Sequence, residues 1–155
     1  MSVTHDTFVL ERTYPVPPAR VFAAWADLDQ KRAWFHGPDD WPAGEHTLDF
    51  RVGGTETAVN GPADGPKARF SAHYVEIRAD ARIVTTYTMH QDTRLMSVSV
   101  ATVELEAVEE ATRLTYTEQG AYLEVDEDGW EPAGRREGTE GLLDALGGAL
   151  DAVAV

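Results

Sequence analysis

The chain contains no cysteine among its 155 residues. This absence excludes disulfide bonds, thiolate nucleophiles and cysteine-ligated metals. Basic residues are also scarce, with 13 lysines and arginines against 27 aspartates and glutamates, and the formal net charge is −14. A field of that sign repels phosphate backbones and anionic membrane surfaces. We therefore expect neither a nucleic acid nor a membrane as a partner.

Several other signals are missing. No apolar run approaches the roughly 20 residues of a membrane helix, and residues 1–6 lack the pattern of a signal peptide. The motifs of phosphate-binding loops, dinucleotide folds and serine hydrolases are absent, as is the His-x-x-x-His spacing of a helical metal site. We expect a cytoplasmic protein without a metal or another cofactor. Its length suits one domain spanning residues 1–155.

What is present is a succession of short patterned segments. β-Branched and aromatic residues predict a strand at 7–14, and apolar spacing predicts helices at 19–26 and 28–35. Period-two alternation predicts six more strands, at residues 47–52, 55–60, 68–77, 82–90, 96–108 and 112–123. Residues 139–153 form an amphipathic helix with Thr139 as its N-cap. Short connections make such strands antiparallel, which predicts an α+β fold whose last helix covers the sheet.

The motifs between residues 8 and 150 follow a recognisable order. They include Glu-Arg-Thr-Tyr-Pro at 11–15, Val-Phe-Ala-Ala-Trp at 21–25, Asp-Phe-Arg-Val-Gly-Gly at 49–54 and Gly-Leu-Leu-Asp-Ala-Leu at 141–146. In order and spacing they resemble the bacterial proteins named after the activator of a heat-shock-protein ATPase, a family of the SRPBCC (START and birch-pollen-allergen-like) superfamily. The resemblance implies a helix-grip fold, in which a curved antiparallel sheet of about seven strands wraps around a long C-terminal helix and encloses a cavity.

A set of side chains is expected to contact a ligand in that cavity. The set comprises Trp34, Phe35, Trp41, Phe50, Arg51, His73, Tyr87, Tyr116, Leu142, Leu143 and Leu146. Ordinary core packing is an alternative for Trp34. An ion pair with Asp49 is the expected role of Arg51, and carboxylate binding is its alternative.

Two strands carry candidate acid–base groups. His73 alternates with Val75 and Ile77, so we expect it to face the cavity, as a buried histidine, a polar hook or a general base. Tyr116 and Glu118 share a face with Leu114. An inward Glu118 needs a cationic partner, for which Arg135, Arg136 and Arg51 are candidates.

Two further features bear on the cavity. Gly147 and Gly148 interrupt the last helix, where they leave room for a ligand or a crossing strand, or follow a bend. The acidic segment 124–134 is predicted to be an irregular solvated loop. Its Asp126-x-Asp128-Gly129 motif lacks the further ligands of a calcium loop. Trp130 in this segment is a candidate for part of a lid or for a surface anchor.

Three functions remain open at this point. The first is a monomeric or homodimeric binding protein that carries or sequesters a small apolar or aromatic molecule. The second is an enzyme of the cyclase, dehydratase or hydrolase kind, acting on a hydrophobic, polyketide-like substrate through His73, Glu118 or Tyr116. The third, taken from the family resemblance alone, is a regulator of a chaperone ATPase.

Overall fold

Seven strands and three helices make up the computed structural model, which describes residues 3–125 and 130–153. In chain order they are β1 (Thr4–Tyr14), α1 (Pro18–Ala26), α2 (Leu28–Arg32), β2 (His46–Leu48), β3 (Thr55–Asn60), β4 (Ala68–Arg78), β5 (Arg82–Gln91), β6 (Arg94–Val108), β7 (Ala111–Tyr122) and α3 (Pro132–Val153). The strands form one antiparallel sheet in the order β1-β7-β6-β5-β4-β3-β2. The predicted α+β class and helix-grip fold are confirmed.

The inner face of the sheet is set by strand alternation. On β7, Leu114, Tyr116 and Glu118 are buried while Arg113 and Gln119 are exposed. The prediction that the first three share the inner face is therefore confirmed. Because this face is largely apolar, it must be covered by another element.

Helix α3 provides that cover through a stripe of leucines. Leu143, Leu146 and Leu150 recur at helical spacing and are almost fully buried. The Tyr14 hydroxyl on β1 donates a 2.7 Å hydrogen bond to the Leu143 carbonyl, which ties the helix to the edge strand. A Cβ atom at Gly147 would lie 3.2 Å from the Tyr14 ring, whereas one at Gly148 would meet nothing within 4 Å. Gly147 thus allows the close crossing of a strand, one of the alternatives derived from the sequence.

Several predicted boundaries are wrong, and α3 shows why. The helix begins at Pro132, so Thr139 lies inside it, where its hydroxyl donates to the Arg135 carbonyl instead of capping the helix. The predicted start was late because residues 132–138 carry no apolar stripe. Contacts made by Arg135, described below, hold this turn against the sheet.

The region around β2 also departs from prediction. β2 is three residues long, whereas a strand was predicted over 47–52, and residues 49–54 form a loop with Gly53 at a φ of 84°. Helix α2 ends at Arg32, although Phe35 N still donates to the Lys31 carbonyl. Asp27 caps the start of α2, because its side chain accepts a hydrogen bond from the Gln30 N–H.

The Asp126-x-Asp128-Gly129 motif lies outside the described residues. Within residues 3–125 and 130–153, the three helices include none with the length and apolar character required to cross a bilayer.

Candidate ligand-binding site

A cavity of about 460 Å³ lies between the inner face of the sheet, α3 and the segment that follows α2. Strand alternation supplies one wall, because Ile83, Thr85, Tyr87 and Met89 all point inward from β5. Aromatic rings supply much of the rest, including Trp25, Trp34, Phe35, Trp41, Phe70 and Trp130. The cavity is therefore a mainly apolar volume bounded by rigid side chains.

The structure brings a large part of the predicted ligand-binding set to this cavity. The members in its lining are Trp34, Phe35, Trp41, Tyr87, Tyr116, Leu142 and Leu143. Trp34 is also a core residue, 1% exposed, and its Nε1 donates to the Ala24 carbonyl. Trp130 lines the cavity and lies directly after the segment 126–129.

The other members of that set lie elsewhere. Phe50 packs edge-on against Phe22 and Tyr74, and Leu146 is fully buried in the core; neither is part of the cavity lining. The Arg51 side chain is 70% exposed and its Nε lies 2.8 Å from Asp49 Oδ2. The structural ion pair expected for Arg51 is therefore confirmed.

The expectation that His73 faces the cavity is wrong. His73 and Val75 are exposed, while Ala72 and Tyr74 are buried. The pairing of β4 with β5 shifts register between Tyr74 and Glu76, the signature of a β-bulge. The bulge reverses the alternation, so Ile77 packs on the core although Val75 does not. The prediction assumed an unbroken alternation from His73 to Ile77, and it therefore placed His73 on the wrong face of the sheet.

Arg135 and Glu118 form the centre of the first polar group at the cavity, which we call the arginine cluster (Arg135, Glu118, Tyr87, Tyr116, Ser97 and Ser99). Glu118 Oε2 lies 3.1 Å from Arg135 Nη1, and Glu118 Oε1 accepts hydrogen bonds from the hydroxyls of Tyr87 and Tyr116. Arg135 also donates to Tyr87, Ser99 and Ser97. Burial, with the negative charge of Glu118 added to it, raises the pKa of both tyrosines. This cluster links the start of α3 to β5, β6 and β7.

Lys31 and Glu56 form the centre of the second group, which we call the lysine cluster (Lys31, Glu56, His46 and Tyr74). Glu56 Oε1 accepts 2.6 Å hydrogen bonds from Lys31 Nζ and the Tyr74 hydroxyl, and its Oε2 accepts one of 2.6 Å from His46 Nε2. Burial by itself would raise the pKa of Glu56. The charge of Lys31 and the three hydrogen bonds outweigh that effect and lower this pKa to about 2.

Neither Lys31 nor Glu56 was predicted from the sequence. A signal was present, because Glu56 alternates with Ala58 on a buried face of β3, and Lys31 precedes the buried Trp34 by three residues. Each position therefore shares a face with apolar residues, where an unpaired charge is costly. A lysine and a glutamate on such faces are candidates for a buried pair.

The fold and the cavity define the class of protein, a helix-grip domain of the SRPBCC type. The family model described as "Activator of Hsp90 ATPase homolog 1-like protein" matches residues 15–151. The chain belongs to this family, as its sequence motifs indicated.

Solved structures of similar proteins cover nearly the whole chain. Protein Mll3558 from Rhizobium loti is 44% identical, with a TM-score of 0.86, and the match covers 96% of this chain and 99% of that one. A putative uncharacterized protein from Rhizobium leguminosarum is 39% identical, with a TM-score of 0.88 and 97% coverage of both chains. A protein from Arthrobacter aurescens is 27% identical, with a TM-score of 0.76, over 97% of this chain and 91% of that one. The comparison with curated proteins finds no match.

Proposed function

We propose that the protein binds a small apolar or aromatic molecule in the cavity between the sheet and α3, as a carrier or by sequestration. The cavity itself is the observation that carries this proposal. Its volume of about 460 Å³ falls within the range of about 300–1,000 Å³ that is typical of small-molecule sites. A fully packed core would exclude water and ligand alike, so a void of this size needs an occupant or solvent.

The chemistry of the lining supports the same class of ligand. Flat aromatic rings and aliphatic side chains surround the volume, and its charged side chains Lys31, Glu56 and Arg135 are paired with an opposite charge. Apolar sites with a few placed polar groups bind by excluding water and gain orientation from those groups. An aromatic or polycyclic molecule fits this description.

The enzyme alternative has less support from the described residues. His73 faces solvent and does not reach the cavity. Glu118 accepts hydrogen bonds from Arg135 and two tyrosines, so proton transfer through it would first require these bonds to break. General acid–base catalysis needs a group within hydrogen-bond reach of its substrate. For these reasons we favour binding over a cyclase, dehydratase or hydrolase activity.

Titration with the fluorescent neutral probe N-phenyl-1-naphthylamine tests the proposal. Two variants on β5 form a matched pair. Thr85 lines the cavity, while Thr86 beside it points to the opposite face of the sheet. Thr85→Phe fills part of the cavity and should weaken probe binding by about tenfold or more, whereas Thr86→Phe should change it by less than about twofold.

Thermal unfolding of both variants monitors their folding. Saturable binding that Thr85→Phe alone weakens would support the proposal. A wild-type protein that does not bind the probe saturably, or two variants with equal effects, would contradict it.

A further inference from the structure

Lys31 has hydrogen-bonding capacity that the residues described by the structure do not use. An ammonium group carries three N–H donors. Among residues 3–125 and 130–153, the one hydrogen-bond acceptor of Lys31 Nζ is Glu56 Oε1, at 2.6 Å. The other close neighbours of Nζ are the rings of Phe35 and Trp25, whose centroids lie at 4.7 Å and 5.4 Å. Rings attract the positive charge through their faces but leave N–H donors without an oxygen or nitrogen acceptor.

The buried position of Lys31 makes its unused N–H donors significant. The residue is 3% exposed, so bulk water does not serve its donors, and it belongs to the cavity lining together with Phe35 and Trp25. A buried donor without an acceptor is costly. A molecule in the cavity that offers an acceptor to Lys31 would remove that cost.

Glu56 decides what kind of ligand group can bind here. Its carboxylate already accepts hydrogen bonds from Lys31, Tyr74 and His46. The carboxylate thus uses three of its roughly four lone-pair sites, whereas the Lys31 ammonium uses one of its three N–H donors. The cluster therefore offers the cavity more free donors than acceptors, which favours a ligand group that accepts hydrogen bonds over one that donates them.

The charges around Lys31 indicate whether the accepting group of the ligand is neutral or anionic. Lys31 and Glu56 neutralise each other, and the chain as a whole carries a formal charge of −14. An anionic ligand group next to Lys31 would also lie near the buried Glu56 carboxylate, where the low effective dielectric screens the repulsion weakly. A neutral acceptor oxygen meets the surplus donor without that repulsion.

We propose that Lys31 is the polar anchor of the cavity, and that the ligand is an apolar ring system carrying a neutral carbonyl oxygen, such as a cyclic ketone or a quinone, which accepts a hydrogen bond from Lys31 Nζ. This proposal rests on the proposed binding function and specifies the ligand class. The rings lie in the aromatic part of the cavity, and the carbonyl points to the end formed by α2 and β3.

A pair of probes of nearly equal shape tests the proposal, namely 1-tetralone and tetralin, which differ by a carbonyl in place of a methylene. Both are measured by displacement of N-phenyl-1-naphthylamine from the full chain. The variant Lys31→Met with Glu56→Gln removes both charges together and so leaves no buried charge unpaired. Thr86→Phe, on the opposite face of the sheet, serves as the control variant.

The quantity to compare is the ratio of the tetralin Kd to the 1-tetralone Kd. A hydrogen bond to a charged donor should make this ratio about tenfold or more higher in the wild type than in the double variant. Thr86→Phe should leave the ratio unchanged. If the ratio falls by less than this in the double variant, Lys31 is not the polar anchor, whereas the binding function still stands. If the reporter binds saturably but neither probe displaces it from the wild-type protein, the carbonyl proposal fails while the binding function stands.

A spectroscopic measurement on the wild type does not depend on how well the variant folds. The carbonyl stretching frequency of bound 1-tetralone should lie below its value in cyclohexane, because hydrogen bonding weakens the C=O bond. An unshifted carbonyl band in the complex would overturn the proposal. As a third probe, 1,2,3,4-tetrahydro-1-naphthoate should bind more weakly than 1-tetralone, and tighter binding would overturn the choice of a neutral acceptor.

Discussion

Glu56 and Glu118 are both buried glutamates on inward strand positions, and each is paired with a cation from a helical segment. In the arginine cluster the cation has several partners, since Arg135 contacts Glu118, Tyr87, Ser97 and Ser99. In the lysine cluster the carboxylate has several partners, and the cation has one acceptor within the described part of the chain. The first arrangement fastens α3 to the sheet, and the second leaves a donor at the cavity wall. A cation paired with a glutamate thus serves attachment in one region and, under our proposal, ligand recognition in the other.

The largest expected effect on stability comes from removing Arg135, the cation that fastens α3 to the sheet. Arg135→Met leaves Glu118, whose side chain is 0% exposed, without a countercharge. We expect the free energy of unfolding to fall by about 3–5 kcal/mol, because removing one partner strands a buried charge. Urea denaturation followed by circular dichroism measures this change.

The companion variant Arg135→Met with Glu118→Gln has no stranded charge, and it should recover at least half of the lost stability. A loss below about 1 kcal/mol in the single variant would show that the arginine cluster does not fasten the helix.

The second-largest expected effect is the loss, on acidification, of the stability that the lysine cluster contributes. The pKa of Glu56 is lowered from 4.5 to about 2, so its contribution to stability is complete above about pH 4.5 and is lost as the pH falls towards 2. That contribution is about 3 kcal/mol. Urea denaturation at several pH values should show the stability advantage of the wild type over Glu56→Gln shrinking across this window.

Glu76→Gln is the matched control, because Glu76 pairs with Arg82 in a partly exposed position. The hydrogen bond from Arg82 also lowers the pKa of Glu76, but solvent screens this pair, so the difference between Glu76→Gln and the wild type should change less with pH. If the Glu56→Gln difference changes no more than that of the control, the carboxylate of Glu56 is not held in its ionised form by the lysine cluster.

Removing a single hydroxyl group should give the smallest loss of stability. Comparing one hydroxyl from each cluster shows how much redundancy each cluster has. Tyr74→Phe removes a 2.6 Å hydrogen bond to Glu56 and should cost about 1–2 kcal/mol. Ser99→Ala removes a 3.3 Å contact of Arg135, which keeps its other partners, and should cost about 0.5 kcal/mol or less. Thermal and urea unfolding compare the two. Equal costs would mean that the arginine cluster has no more redundancy than the lysine cluster.

Local pattern predicted the fold better than it predicted the site. The alternation on β7 placed Leu114, Tyr116 and Glu118 correctly, and the leucines of α3 identified its buried stripe. On β4 the same logic failed at the bulge after Tyr74, because one additional residue reverses every position beyond it. Bulges depend on pairing with the neighbouring strand, and a single strand's sequence does not display that pairing.

The polar clusters were harder to predict than the strands that carry them. Arg135 was one of three candidate partners for Glu118, and its place beside Glu118 depends on α3 beginning at Pro132, which puts Arg135 in the first turn of the helix. Lys31 and Glu56 are 25 residues apart in the chain and meet across a helix and a strand. No periodicity connects such residues.

The sequence by itself determined the succession of strands and helices, the inward faces of most strands, and the family. These properties follow from the side-chain periods of strands and helices and from the order of short motifs, all of which are local along the chain. The tertiary structure alone decided which buried charges pair, which face His73 occupies and how large a cavity remains. A cavity is the space that packed elements leave between them, so its size depends on how they pack against one another.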